Sequence, residues 1–419
     1  SPTMGRGADL PSPSLGRAGR PPLRWGFFRK GFLLLVTLSL SKCLYAQQLS
    51  LPDLEKRALE NNRTLTVNGL EVAHQQSLVG TYREIPKTNV ELQYGNIQTP
   101  FVGDYAFTVM QSFDNPKVFQ ARKKLLETYV QQANVALDLQ KIATVKQVRE
   151  NYFRYVYSIR LQELLTSELQ VYGSAAKKAT LRYNLGESGL LEKVHFETQL
   201  SALQNRETVI RNQSVIPYLN LQNLTASADS LEISTVDFRR EKPLFFETSE
   251  LPFLRNFDAQ KSTIDEQIKL TQQQLKPGFV AGITNQSMEG SLRQFVVTGG
   301  LNIPIFNKSE KAKIEALRIE NKVIDSKVVD IENQLLTEIQ TLRAELLTTN
   351  QTLNYYQETA IPQADLMIST ASKQYNEGDI NYLDFQLIYA QAIGIRETYL
   401  QEQLKQKLIE TNIQFITGK

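Results

Sequence analysis

Ala179-Thr-Leu-Arg-Tyr183-Asn-Leu-Gly186-Glu-Ser-Gly-Leu-Leu-Glu192 returns 192 positions later as Ala371-Ser-Lys-Gln-Tyr375-Asn-Glu-Gly378-Asp-Ile-Asn-Tyr-Leu-Asp384. Both copies interrupt a long run of helix-forming residues. A sharp helix reversal needs one residue at positive φ, which Gly supplies without a Cβ penalty, so each copy marks a hairpin where a helix turns back. The offset holds elsewhere: Leu224-Thr225 answers Ile416-Thr417 at 192, and Pro86 answers Pro277 at 191. Internal self-similarity on this scale is a statement about architecture.

The halves are built from very long helices. No Pro lies between Pro116 and Pro217, between Pro304 and Pro362, or after Pro362. The expected outbound helices run from about Val118 to Arg182 and from Lys308 to Gln374. The return helices run from about Leu191 to Val215 and from Leu383 to Ile413. Some 60 residues at ~1.5 Å each span roughly 90 Å, far more than a globular domain needs. Leu125, Val130, Ala133, Leu137, Ile142, Val145, Val148, Tyr152, Val156 and Ile159 recur at threes to fives along the first of these, a coiled-coil-like stripe.

Before each outbound helix the period changes. Ser50-Leu-Pro-Asp53 reads as a capping box with Pro in the first turn, and Ser249-Glu-Leu-Pro252 opens the second half similarly. Further helices follow, roughly Leu65 to Tyr82 and Phe257 to Leu275. Beyond Pro86 and Pro277, Val90, Leu92 and Tyr94, then Tyr105, Phe107 and Val109, alternate with polar or small residues. Phe279, Ala281 and Ile283, then Phe295, Val297, Gly299, Leu301 and Ile303, do the same. These are four strands of about ten residues in two hairpins, a length and pattern that suit a tilted transmembrane strand. The alternation alone serves equally a soluble hairpin packed on a core. If the strands do span a membrane, four cannot close a barrel, since the smallest have about eight, and open edges leave backbone groups unpaired in lipid. Several chains must then pool their strands.

Arg29-Lys30, the apolar run Gly31 to Leu40 and then Leu44-Tyr45-Ala46 read as a secretory signal, so residues 1–46 are expected to be leader and signal peptide. Lys42 before Cys43 departs from a lipoprotein signal, which favours cleavage after Ala46 and a mature chain without cysteine. The net charge of +3 comes from that leader, which holds seven Lys/Arg against one Asp; the remaining 40 Lys/Arg and 43 Asp/Glu leave about −3. A nucleic-acid partner thereby loses its compositional support. The first repeat occupies 47–225, with its hairpin at about 88–113 and its tip near 183–192. A weakly structured linker is expected over 226–249. The second repeat occupies 250–419, with its hairpin at about 279–303 and its tip near 375–384.

The order helix, hairpin, long helix, turn, return helix, all repeated, resembles the TolC-type outer-membrane efflux factor family over essentially the whole mature chain. The residues that carry it are Leu51-x-x-Leu54-x-x-Ala58-Leu59-x-x-Asn62, Leu301-Asn-Ile-Pro-Ile-Phe306 and the two Tyr-x-x-Gly turns. Within that family it looks most like the exporters paired with heavy-metal pumps of the resistance-nodulation-division class. The resemblance implies a mainly α fold with membrane β-hairpins: duplicated long-helix hairpins forming an α-barrel, and four strands per chain given to a trimeric 12-stranded β-barrel. It implies an outer-membrane duct extending into the periplasm, in contact with outer-membrane lipid, which opens when a periplasmic adaptor docks and passes cargo from an inner-membrane pump. Hairpin-tip glycines that meet the adaptor map onto Gly186 and Gly378, with Leu185, Glu187, Glu377 and Asp379 beside them. A gate of Asp residues maps onto Asp384, with Glu192 its first-half counterpart. A ring of three carboxylates would focus cations at a constriction. Leu387 stands where some members carry a second Asp, and a helix-start carboxylate is also favoured by the helix dipole alone.

Catalytic and ligand chemistry has no support in the sequence. His74 and His195 are far apart, Met110, Met288 and Met367 are scattered, and no soft or imidazole cluster emerges. Gly186-Glu-Ser-Gly189 lacks the spacing of a nucleophile elbow, and Lys193 follows no phosphate-binding glycine pattern. The expectation is a chain without catalytic residues, metal ligands or cofactor. Its rivals are a secretion or drug-efflux duct on the same scaffold and a soluble periplasmic coiled-coil scaffold.

Overall fold

The computed structural model describes residues 48–96, 103–235, 251–288 and 291–418. The expected leader, Cys43 and residues 236–249 of the expected linker lie outside them. The architecture belongs to the unit Leu49–Lys419.

Helix α1 (Leu51–Asn61) starts where the Asp53 carboxylate accepts the backbone N–H of Ser50 at 3.1 Å and its hydroxyl at 2.6 Å. Leu54 and Ala58, a turn apart, are fully buried. Asn62 then caps α2 (Arg63–Val79) by accepting the N–H groups of Thr64 and Leu65. Its amide donates to the Leu224 carbonyl at 3.0 Å, tying the opening helices to the far end of the first repeat. A 3-10 turn, Gly80–Arg83, delivers the chain to the strands.

Strands β1 (Asn89–Gly95), β2 (Asp104–Phe113), β3 (Gly278–Met288) and β4 (Ser291–Asn302) form one antiparallel sheet in the order β1-β2-β3-β4. Cross-strand pairs Leu92↔Phe107, Val109↔Ile283 and Ile283↔Val297 carry one apolar face through all four strands; Glu91↔Thr108, Thr108↔Thr284 and Gly282↔Thr298 line the other with polar or small side chains. The apolar face is uncovered: Leu92, Tyr94, Phe295 and Val297 are among its exposed side chains. The free edges of β1 and β4 are unequal, at 7 and 12 residues.

Asn115 caps α3 (Pro116–Asn184), whose 69 residues extend about 100 Å. Its return partner is α4 (Leu190–Leu224). Helix α4 runs past the expected stop near Val215, keeping Pro217 buried in its interior. Proline there removes one ladder bond, to the carbonyl of exposed Gln213, which water can satisfy. The burial of Leu221 and Leu224 beyond it favours continuing the helix. In the second repeat, α5 (Leu254–Gln274) leads to β3, and α6 (Lys308–Tyr355), a π turn (Tyr356–Ala360) and α7 (Ile361–Glu377) make the outbound run. The expected single helix to Gln374 is thus interrupted by a wider turn just before Pro362. A wider i→i+5 turn makes room for a proline ring that the i→i+4 ladder would crowd. Helix α8 (Tyr382–Thr417) returns.

Four apolar clusters among the described residues order this frame, of which one packs α5 on α6 through Ile264, Leu317 and Ile324. Another joins α1 to the middle of α3 through Leu54, Ala58, Val148, Tyr152, Val156 and Leu221. Leu231 and Ile233 belong to it as well, so this part of the expected linker is packed, while Ala226 and residues 228–230 stay exposed. Leu49 pairs with Ile233 in a parallel bridge, and the Tyr152 hydroxyl donates to the Ser234 carbonyl at 2.9 Å. A third cluster seats Leu251 against Ile339 and Ile416. The fourth, at the tips, is aromatic. Among the described residues no helix is long and apolar enough to cross a membrane.

Candidate functional site at the hairpin tips

Both tips close by the same local chemistry. Gly186 (φ +74°) and Gly378 (φ +86°) take the left-handed conformation. Glu187 N–H bonds the Arg182 carbonyl and Asp379 N–H the Gln374 carbonyl, at 2.8 and 2.9 Å. The glycine N–H groups bond the Tyr183 and Tyr375 carbonyls. These are two Schellman motifs, and the duplicated Tyr-x-x-Gly is their sequence trace. Leu185, Glu187, Glu377 and Asp379 all stand exposed beside the glycines.

Beyond the second turn, Asn381 caps α8 by accepting the N–H groups of Leu383 and Asp384. Its amide donates to the exposed Asp384 carboxylate at 2.7 Å. Glu192, in the equivalent position of the first repeat, has a different environment. It is only 8% exposed, and its Oε1 accepts from the Arg182 guanidinium at 3.1 Å and the Tyr375 hydroxyl at 2.8 Å. Burial above all, then the Glu192 hydrogen bond and charge, push the Tyr375 phenol well above its ordinary range. The two gate positions read from the sequence therefore diverge. Asp384 presents its charge outward, whereas Glu192 spends its charge joining the two hairpins.

Arg182 and the Tyr375 hydroxyl are the tip groups that sequence reasoning missed. Tyr375 stood inside the repeat, but its partner lies 183 residues away. Lys178 makes a second tie between hairpins, donating to the Asn376 side chain at 2.6 Å. Around them Phe385 stacks on Tyr375 (centroids 4.8 Å apart) and on Tyr389 (5.6 Å), and Tyr172 meets Tyr389 edge-on at 5.5 Å. Such pairs add about 0.5–1.5 kcal/mol each beyond area burial. Outside this core the tips expose apolar side chains to which the sequence assigned no docking role, including Leu191 (75%), Leu383 and Leu387 (71%).

Further from the tips, buried Glu168 of α3 lies beside a two-point ion pair between Arg206 of α4 and Glu397 of α8, at 2.7 and 2.8 Å. One Glu168 oxygen, Oε2, has no hydrogen-bond partner among the described residues. Burial, then repulsion from Glu397, raise its pKa to about 7 despite Arg206. His195 packs against Phe196 and Tyr382, and exposed His74 lies 3.5 Å from Glu71. Among the described residues no group of three His, Cys, Asp or Glu is arranged to hold a metal ion.

The same fold, paired long-helix hairpins continuing from a small antiparallel sheet, is found in solved outer-membrane channels. Solved structures with this fold include the CmeC outer membrane channel of Campylobacter jejuni. It superposes with a TM-score of 0.74 at 10% identity, over 88% of this chain and 85% of that one. The outer membrane protein VceC of Vibrio cholerae gives 0.70 at 13% identity over 88% and 96%. CusC, whose structures describe conformational changes accompanying folding and transmembrane channel formation, gives 0.73 at 15% identity over 88% and 91%. No family model matches the sequence, and no curated protein matches it. At these identities the likeness is one of fold.

Proposed function

We propose that the protein is the outer-membrane exit duct of a tripartite efflux system, acting as a homotrimer. Three copies pool their strands into a 12-stranded barrel, and their helices continue through the periplasm as an α-barrel. The observation that carries this reading is the sheet: its apolar face is uncovered on all four strands, and neither edge strand has an outer partner among the described residues. In water, that face would be an aggregation surface. In lipid it is the solvated side, and only pairing of the edges between copies satisfies their backbone groups.

The duct is passive, and energy enters at an inner-membrane pump of the resistance-nodulation-division class. A periplasmic adaptor docks on the tips at Leu185, Gly186, Glu187, Glu377, Gly378 and Asp379, where exposed Leu191 and Leu383 add apolar area. Docking works against the two tip bonds that cross between hairpins, Tyr375 to Glu192 and Lys178 to Asn376, and the second hairpin swings outward when they release. Three Asp384 carboxylates then line the passage and concentrate cations. Metal cations are the cargo that the resemblance favours, and they pass as substrate with no resident site.

The test is the purified full chain in detergent. A trimeric mass, a heat-modifiable band and location in the outer-membrane fraction are expected. A monomer released with soluble periplasmic protein would overturn the duct and favour a coiled-coil scaffold. For cargo, a deletion strain is expected to lose resistance to heavy-metal salts before it loses resistance to drugs; the reverse order would favour a drug-efflux duct.

A further inference from the structure

Four strand-helix junctions meet at one end of the sheet. The Gln111 amide donates to the Pro86 carbonyl at 2.7 Å and the Asn115 amide to the Pro277 carbonyl at 3.4 Å, while Gly278 pairs with Asn302. The residues around 86, 115, 277 and 302 therefore form one layer. The apolar surface of the sheet ends here, with Ile303, Ile305 and Phe306 exposed, the last at 94%.

On the helix side of that layer the charge changes abruptly. Residues 83–87, 114–124, 276 and 308–313 hold ten basic side chains against three acids, Glu84, Asp114 and Glu310. The chain from residue 47 onward is net negative, so this surplus is a property of the layer and not of the composition. Most of it is unspent. Arg122 pairs with Asp114 and Lys123 with Glu127. Lys87, Lys117, Lys124, Lys276, Lys311 and Lys313 are exposed, and no acid lies within ion-pair distance of them among the described residues. Lysine stems can lie along an apolar border while their ammonium groups reach the adjoining polar zone.

We propose that this layer is a docking belt for anionic glycerophospholipid headgroups in the leaflet nearest the helices. The partner follows from charge complementarity and from continuity with the bare apolar face. A cationic ring directly beneath a lipid-facing band meets phosphodiesters, each carrying a negative charge. The attraction sharpens as the surface becomes more anionic and fades within a Debye length of it. The belt rests on the membrane reading of the sheet, because it needs the apolar face in lipid.

The experiment is insertion of the full-length chain into vesicles of phosphatidylethanolamine alone or with one third phosphatidylglycerol, read as the protease-resistant, heat-modifiable fraction. Wild type is expected to insert at least about threefold more into the anionic vesicles, an advantage lost in 0.5 M salt. The combined variant Lys117→Gln, Lys124→Gln, Lys276→Gln and Lys311→Gln is expected to match wild type in neutral vesicles and to lose the anionic advantage. Equal wild-type insertion into both vesicles, or an advantage that survives in the variant, overturns the belt while leaving the membrane reading intact. Failure of wild type to insert into either vesicle overturns both.

Discussion

Glu192 and Asp384 occupy the same place in a duplicated motif, yet one is shared between hairpins and the other, held by the neighbouring Asn381 amide, is exposed. The difference lies in what surrounds them. Arg182, which grips Glu192, has Gln374 as its second-repeat counterpart, and an amide supplies no charge to hold Asp384. Asp384→Ala is expected to raise single-channel conductance and weaken block by multivalent cations. Unchanged currents would remove Asp384 from the gate. For the tie, Tyr375→Phe and Glu192→Gln should each speed amide exchange at the tips. Because both act on one hydrogen bond, the double variant should cost less than the sum of the singles by about 1 kcal/mol. Additive effects would mean that the bond does not couple the hairpins. The glycines of these turns were legible in the sequence because positive φ selects Gly directly. The capture of Glu192 was not, because nothing local to Glu192 points to a tyrosine in the other repeat.

At the scale of elements, α3, α4 and α8 meet around Glu168, with Arg206, Glu397, Tyr172 and Tyr389 as the ionisable groups that bear on it. Burial and the charge of Glu168 raise the Tyr172 phenol to about 12, and they raise Tyr389 further. Glu168 keeps its proton in the folded state up to about pH 7, whereas its ordinary carboxyl value is 4.5. The folded chain thus binds a proton that the unfolded chain releases. Its stability contribution is fully present below pH 4.5, falls as pH rises through this window, and levels off above about 7. Glu168→Gln, fixed in the neutral form, is expected to flatten that decline and to melt higher than wild type at pH 8. A decline of the same slope in the variant would exclude Glu168 as its source. The helices themselves were legible from proline spacing, with Pro217 the exception. It sits inside α4, beyond the expected end near Val215, because the packing of Leu221 and Leu224 outweighs the one ladder bond that it removes. That balance depends on neighbours distant in sequence.

Over the whole molecule, the duplication and the period-two segments foretold two helical hairpins and four strands, and the sheet has the expected alternation of faces. Less legible was the stretch 226–235. It was expected to be part of a weakly structured linker, but Leu231 and Ile233 lie in the same cluster as α1 and α3. Two apolar side chains were enough, because a pocket was already formed by helices far away in the sequence.

The unequal free edges of β1 and β4 have a genetic consequence. In the proposed ring, each copy offers its first strand to one neighbour and its last strand to the other, so no copy can be replaced silently. A variant whose β4 cannot pair would spoil every ring that it enters. Expressed equally with wild type and mixing at random, it would leave only about one ring in eight free of it. Such an allele would behave as dominant over the intact gene, and a dosage series of the two would report the number of copies per ring without purifying the protein.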